Sequence, residues 1–179
     1  MEVKDMSQFS LPYEITLKGS GFEWMIKFEQ INPEGFTYGH MTLKMRTIHE
    51  ERSLGCVWFS SSYSDLVELA DYFDHHVKRL IKDPWSDSDV FVQYGLEFQV
   101  QALCGEVDPN MEGDFGLRVM LLAGQTPDES RIHVGVEASV DVAQCYAFVT
   151  QLREFLKAWS SVDGNLQTAQ AHKVAPIKA

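Results

Sequence analysis

Tyr13-Glu14-Ile15-Thr16-Leu17-Lys18 and Phe22-Glu23-Trp24-Met25-Ile26-Lys27-Phe28-Glu29, separated by Gly19-Ser20-Gly21, decide the fold class. Residues two apart in an extended chain share a face, so Tyr13, Ile15 and Leu17, then Phe22, Trp24, Ile26 and Phe28, each define one apolar face backed by a polar one. A turn that short needs residues tolerant of positive φ, and glycine supplies them. The reading is a hairpin half-buried on one side.

Working outward, Asn32-Pro33-Glu34-Gly35 matches a type I turn, with Pro second and Gly fourth. Met41, Leu43 and Met45 alternate with Thr42, Lys44 and Arg46, the charged segment His49-Glu50-Glu51-Arg52 turns the chain, and Leu54 to Phe59 gives another short strand. Ser62-Tyr63-Ser64-Asp65 offers oxygen acceptors to the unpaired N–H groups of a helix start. Beyond it Leu66, Leu69, Ala70, Phe73, Val77 and Leu80 recur at helical steps, until Asp83-Pro84 stops the helix.

The order then repeats. Val90 to Gln93 and Leu96, Phe98, Val100 read as extended, and Asp108-Pro109-Asn110 as a turn. Phe115, Leu117, Val119 and Leu121 alternate, Gln125 to Ser130 is a loop, and Ile132, Val134 and Val136 alternate again. Asp141 three before Gln144 is a capping pair for a second helix with the stripe Val142, Cys145, Val149, Leu152, Phe155, Leu156 and Trp159. The predicted fold is α+β, an antiparallel sheet from two similar β-rich halves, each followed by an amphipathic helix that covers one face. The expected organisation is an N-terminal segment 1–10, a first half 11–82, a linker 83–89, a second half 90–159 and a flexible tail 160–179. This is an internal duplication in pattern, and two copies are too few for a solenoid.

The chain has 179 residues, 45% of them hydrophobic and 23% charged, enough for a sizeable core. Fifteen Lys and Arg against 26 Asp and Glu leave a net charge of −11, which disfavours bare phosphate backbones and anionic membranes. No apolar run reaches a bilayer-spanning length and no export signal is visible, and Cys56, Cys104 and Cys145 are odd in number and widely spaced, as free thiols in a reducing cytoplasm would be.

Chemistry-bearing patterns are sparse. Asp71, Asp74, His75 and His76 group metal-ligand types on the first helix, but a third ligand at helical spacing is missing and a solvated helix face explains them. Asp83, Asp87 and Asp89 fail as a calcium loop, because Trp85, Ser88 and Tyr94 stand where an oxygen ligand, the turn glycine and the bidentate acid belong. No nucleophile elbow or phosphate loop occurs, and Gly19-Ser20-Gly21 lacks a dinucleotide context. The three cysteines fall in apolar patterns that favour core packing. Lys78, Arg79 and Lys82, the one basic cluster, sit where a helix C-terminus attracts cations. No catalytic residue, metal or cofactor is expected. The enzyme alternative needs His40, His49 or His133 brought against carboxylates and Cys56 or Cys104 in a pocket.

What remains is acid concentrated in predicted turns: Glu50 and Glu51; Asp83, Asp87 and Asp89; Glu106, Asp108, Glu112 and Asp114; Asp128 and Glu129. Solubility is one account. The other is a face for a basic protein, with Trp85 as an anchor. Packing of Trp85 over the end of the first helix competes with that role. An acidic mimic of nucleic acid is a further alternative, disfavoured by fifteen basic residues.

Tyr94 to Val100, Gly116 to Leu121 and Leu152-Arg153-Glu154-Phe155-Leu156, together with Ser64 to Phe73 in the first half, resemble the WapI-like immunity proteins of bacterial toxin systems over about residues 11–159. The resemblance implies a cytoplasmic protein that blocks a cognate toxin domain, commonly a nuclease, without catalysis. It supplies no catalytic residues.

Overall fold

A computed structural model describes residues 11–32, 34–93, 95 and 97–173, the last twelve positions by backbone alone. Strands β1 (Tyr13–Gly19), β2 (Phe22–Ile31), β3 (Phe36–Arg46) and β4 (Glu51–Ser62) precede helix α1 (Tyr63–Leu80). Then β5 (Phe91–Val92), β6 (Phe98–Val107), β7 (Gly113–Gln125) and β8 (Arg131–Asp141) precede α2 (Val142–Lys173). Each half is a four-stranded antiparallel sheet in sequential order followed by a helix, so the protein is an α+β fold of two similar halves.

The glycine turn sits where the alternation places it: Gly21 has φ of 80°, and its carbonyl accepts the Arg46 N–H at 2.7 Å. α1 starts on a reciprocal cap, in which Ser62 Oγ accepts the Asp65 N–H and the Asp65 carboxylate accepts the Ser62 N–H. α2 starts on Asp141, whose Oδ1 accepts the Ala143 N–H at 2.7 Å. Every residue of both predicted helix stripes is buried. The helical backbone of α2 continues to Lys173, past residue 160 where a tail is expected; residues 174–179 lie outside the described residues, as does the segment 1–10.

The two sheets and two helices close on one core. Trp24 of β2 packs between Phe98 of β6, at 5.6 Å, and Phe148 of α2, at 5.4 Å; Phe28 stacks on Phe155 at 3.9 Å. Such ring pairs add roughly 0.5–1.5 kcal/mol each beyond area burial, which couples the halves. The linker 83–89 does not stand apart either. Gly105 N–H donates to Pro84 O at 3.0 Å and Ser88 N–H to Ala102 O at 2.9 Å, so the strap runs antiparallel along β6.

Three expectations are corrected. His76 is fully buried rather than on the solvated face of α1. Cys56 and Cys104 are exposed, and Cys145 alone of the three is buried, its thiol pushed up by desolvation. The reason at Cys104 is a register shift between Ala102 and Gly105, which breaks the two-residue period of β6. At Cys56 the cause is a strand apolar on both faces: Val57 and Phe59 turn inward, which leaves Cys56 and Trp58 outside.

Candidate protein-binding edge

Register assembles the acids that sequence could only enumerate. Glu106 of β6 lies opposite Asp114 of β7, and Asp114 lies opposite Asp141 of β8, a row of exposed carboxylates across three strands. Like charges directly opposite in a sheet are destabilising, and no ion pair among the described residues offsets these three. Asp114 accepts a hydrogen bond from Ser139 Oγ at 2.9 Å, while Asp141 faces the N-terminus of α2, where the helix dipole favours an anion. Lys18 and Ser20 from the β1–β2 turn border the same open hollow, and the Ser20 N–H donates to Ser139 O at 2.7 Å.

The strap brings Asp83 and Asp87 to the same end of β6. Asp83 accepts the Trp85 N–H at 3.2 Å and Asp87 Oδ1 accepts the Cys104 N–H at 2.7 Å. These bonds fix the loop and leave Trp85 84% exposed, so this indole does not pack over the end of α1. Asp89 contributes its carbonyl to the Tyr72 hydroxyl at 3.0 Å, and that hydroxyl accepts the Ala102 N–H at 2.8 Å. Beneath the strap, His76 joins three elements: Nδ1 is 2.9 Å from Ser88 Oγ and Nε2 3.0 Å from Leu103 O. A carbonyl only accepts, so Nε2 carries the proton and the Ser88 hydroxyl donates to Nδ1. Burial, opposed by the Leu103 carbonyl and Asp87 and aided by Arg79, pushes the pKa of His76 down to about 4.

Asp108 and Glu112 shape the adjoining β6–β7 turn: Asp108 Oδ1 accepts the Asn110 and Glu112 N–H groups at 2.8 and 3.0 Å. The remaining acids lie elsewhere. Glu50 pairs with Arg52 at 2.6 Å, and Glu51 with Arg46 at 2.7 Å, which holds the Glu51 carboxyl below its usual range. Asp128 is engaged by Thr126 and Ser130 within its own turn, beside Glu129, at the opposite end of β7 from Asp114. The structure therefore brings together Asp83, Trp85, Asp87, Glu106, Asp108, Glu112 and Asp114, and leaves Asp89 farther along the strap, beside Ala102 in the middle of β6. It sets apart Glu50, Glu51, Asp128 and Glu129.

Asp141, Ser139 and His76 belong to this edge and were not among its sequence candidates. The cap reading of Asp141 hid its surface role, and its place opposite Asp114 depends on β7–β8 register. The enzyme alternative finds one fragment. His40 Nδ1 lies 3.2 Å from Glu29, and its ring packs 3.8 Å from that of Trp58, on the open outer face of the first sheet; Cys56, on the same face, accepts a hydrogen bond from Thr42 Oγ1 at 3.7 Å. Among the described residues no group of three or more His, Cys, Asp or Glu is arranged to hold a metal, and no helix is long and apolar enough to cross a membrane.

No protein-family model and no curated protein matches the chain. Among solved structures, the crystal structure of WHY1 from Arabidopsis thaliana aligns with 97% of this chain and 99% of that one, at 10% identity and a TM-score of 0.43.

Proposed function

We propose that this chain acts by binding, as an immunity-type inhibitor that covers the cationic cleft of a basic toxin domain of the nuclease kind. The observation that carries the reading is the in-register row Glu106, Asp114 and Asp141, beside a strap that presents Trp85 84% exposed. A folded chain keeps unpaired like charges abreast only at a cost in stability, and a positive surface laid over them recovers that cost. The exposed indole supplies the desolvated anchor that charge alone lacks. The net charge of −11 adds long-range attraction for the same partner.

The test is growth rescue. Cells expressing the toxin domain encoded beside this gene should survive when the intact chain is co-expressed and should die with Glu106→Gln/Asp114→Asn. Failure of the intact chain to rescue would overturn the immunity reading.

A further inference from the structure

We propose that the outer face of the first sheet is a self-association surface, on which two copies of this chain pack face to face about a twofold axis following the row Thr16, Met25, Thr42 and Cys56. The register defines three rows across this face. Thr16 pairs with Met25, Met25 with Thr42 and Thr42 with Cys56, an uncharged row. On one side of it run Glu14, Lys27, His40 and Trp58; on the other run Lys18, Glu23, Lys44 and Ser53.

A twofold axis in the plane of the contact and along the uncharged row exchanges the two flanking rows, strand for strand. Glu14 of one copy then faces Lys18 of the other, Lys27 faces Glu23, His40 faces Lys44 and Trp58 faces Ser53. On the two strands β1 and β2 the facing pairs are of opposite charge, and each occurs twice, as an isologous interface requires. Local charge also permits the approach. The face carries Lys18, Lys27 and Lys44 against Glu14, Glu23 and Glu29, the last bound to Lys27 at 2.8 Å, so it is balanced on a chain of net charge −11. At its edge stands Trp58, 60% exposed although it lies within a strand, with the His40 ring against it. Large exposed aromatics are enriched at protein contacts. Cys56 of one copy faces Cys56 of the other across the axis, about 10 Å apart as facing sheets are, too far for a disulfide but within reach of a short bismaleimide.

This surface lies on the first sheet and the acidic row on the second, with Lys18 at the border of both, and its test needs no partner. Light scattering at about 100 μM, a concentration that populates even a micromolar dimer, should give the dimer mass. Lys27→Glu or Glu23→Lys alone should weaken association roughly tenfold, because each places two symmetry-related like-charge contacts in the interface. The double variant Lys27→Glu/Glu23→Lys should recover it, which a folding defect would not. In a Cys104→Ser background the bismaleimide should cross-link the chain, and Cys56→Ser should abolish the product. A monomeric mass at that concentration, no recovery in the double variant, or cross-linking independent of Cys56 would overturn the proposal.

Discussion

The Ser88 hydroxyl meets His76 Nδ1 at 2.9 Å in the core, so a neutral imidazole on α1 holds the strap that displays Trp85. The consequence is a stability profile with a defined sign. The folded pKa of His76 is about 4 against an ordinary 6.5, so between those values the unfolded chain binds more protons. The contribution of this site is fully present above pH 6.5, falls as pH drops toward 4 and changes no further below it. The shift corresponds to about 3 kcal/mol. Urea melts from pH 7.5 to 4 should show the loss, and His76→Phe should flatten this part of the profile. Equal pH dependence in the variant would refute the assignment.

Asp114→Asn removes the centre of the acidic row and keeps a hydrogen-bond acceptor for Ser139. Folding stability should rise by about 0.5 kcal/mol at low salt, since a like-charge contact opposite each of Glu106 and Asp141 is relieved. The gain should fade in high salt. Thermal melts at two ionic strengths decide it, and a salt-independent loss of stability would count against the row as a strained charge array.

Trp85→Ala separates folding from binding. With 84% of the residue exposed, its removal should move stability by no more than about 0.5 kcal/mol. Affinity for the proposed toxin partner should fall at least about tenfold, as for a central aromatic anchor. Calorimetry of folding and of binding on one preparation distinguishes the outcomes. A large drop in melting temperature with unchanged affinity would reverse the assignment.

Arg153 of α2 joins the helices through Asp71 at 3.1 Å and Asp74 at 2.5 Å, and the other Asp74 oxygen is buried without a hydrogen-bond partner among the described residues. Arg153→Ala should therefore cost roughly 1–3 kcal/mol, because it strands a partly buried carboxylate. Adding Asp74→Ala should return part of that loss. Additive losses in a double-mutant cycle would show that the pair is not coupled.

Strands and helices were legible because their signals are local. The alternation from Tyr13 to Glu29, the cap at Ser62 and the two apolar stripes specify faces without reference to distant residues. The acidic edge was legible only as a set of residue types. That Glu106 stands opposite Asp114 depends on the register shift between Ala102 and Gly105, and that Asp83 and Asp87 join them depends on the strap docking along β6. Neither leaves a mark in composition or period. The same shift exposes Cys104, and an apolar residue on each face of β4 concealed which side of Cys56 and Trp58 meets water. His76 followed polar logic at the sequence level, while its burial rests on two long-range hydrogen-bond partners, the Ser88 hydroxyl as donor and the Leu103 carbonyl as acceptor.

Stopped-flow association of this chain with the proposed toxin partner, measured across ionic strength, addresses the electrostatic claim most directly. The predicted result is an on-rate that falls steeply with salt and, in Glu106→Gln/Asp114→Asn, is at least about tenfold slower at low salt with a flatter dependence. An on-rate indifferent to salt and to both substitutions would contradict the account.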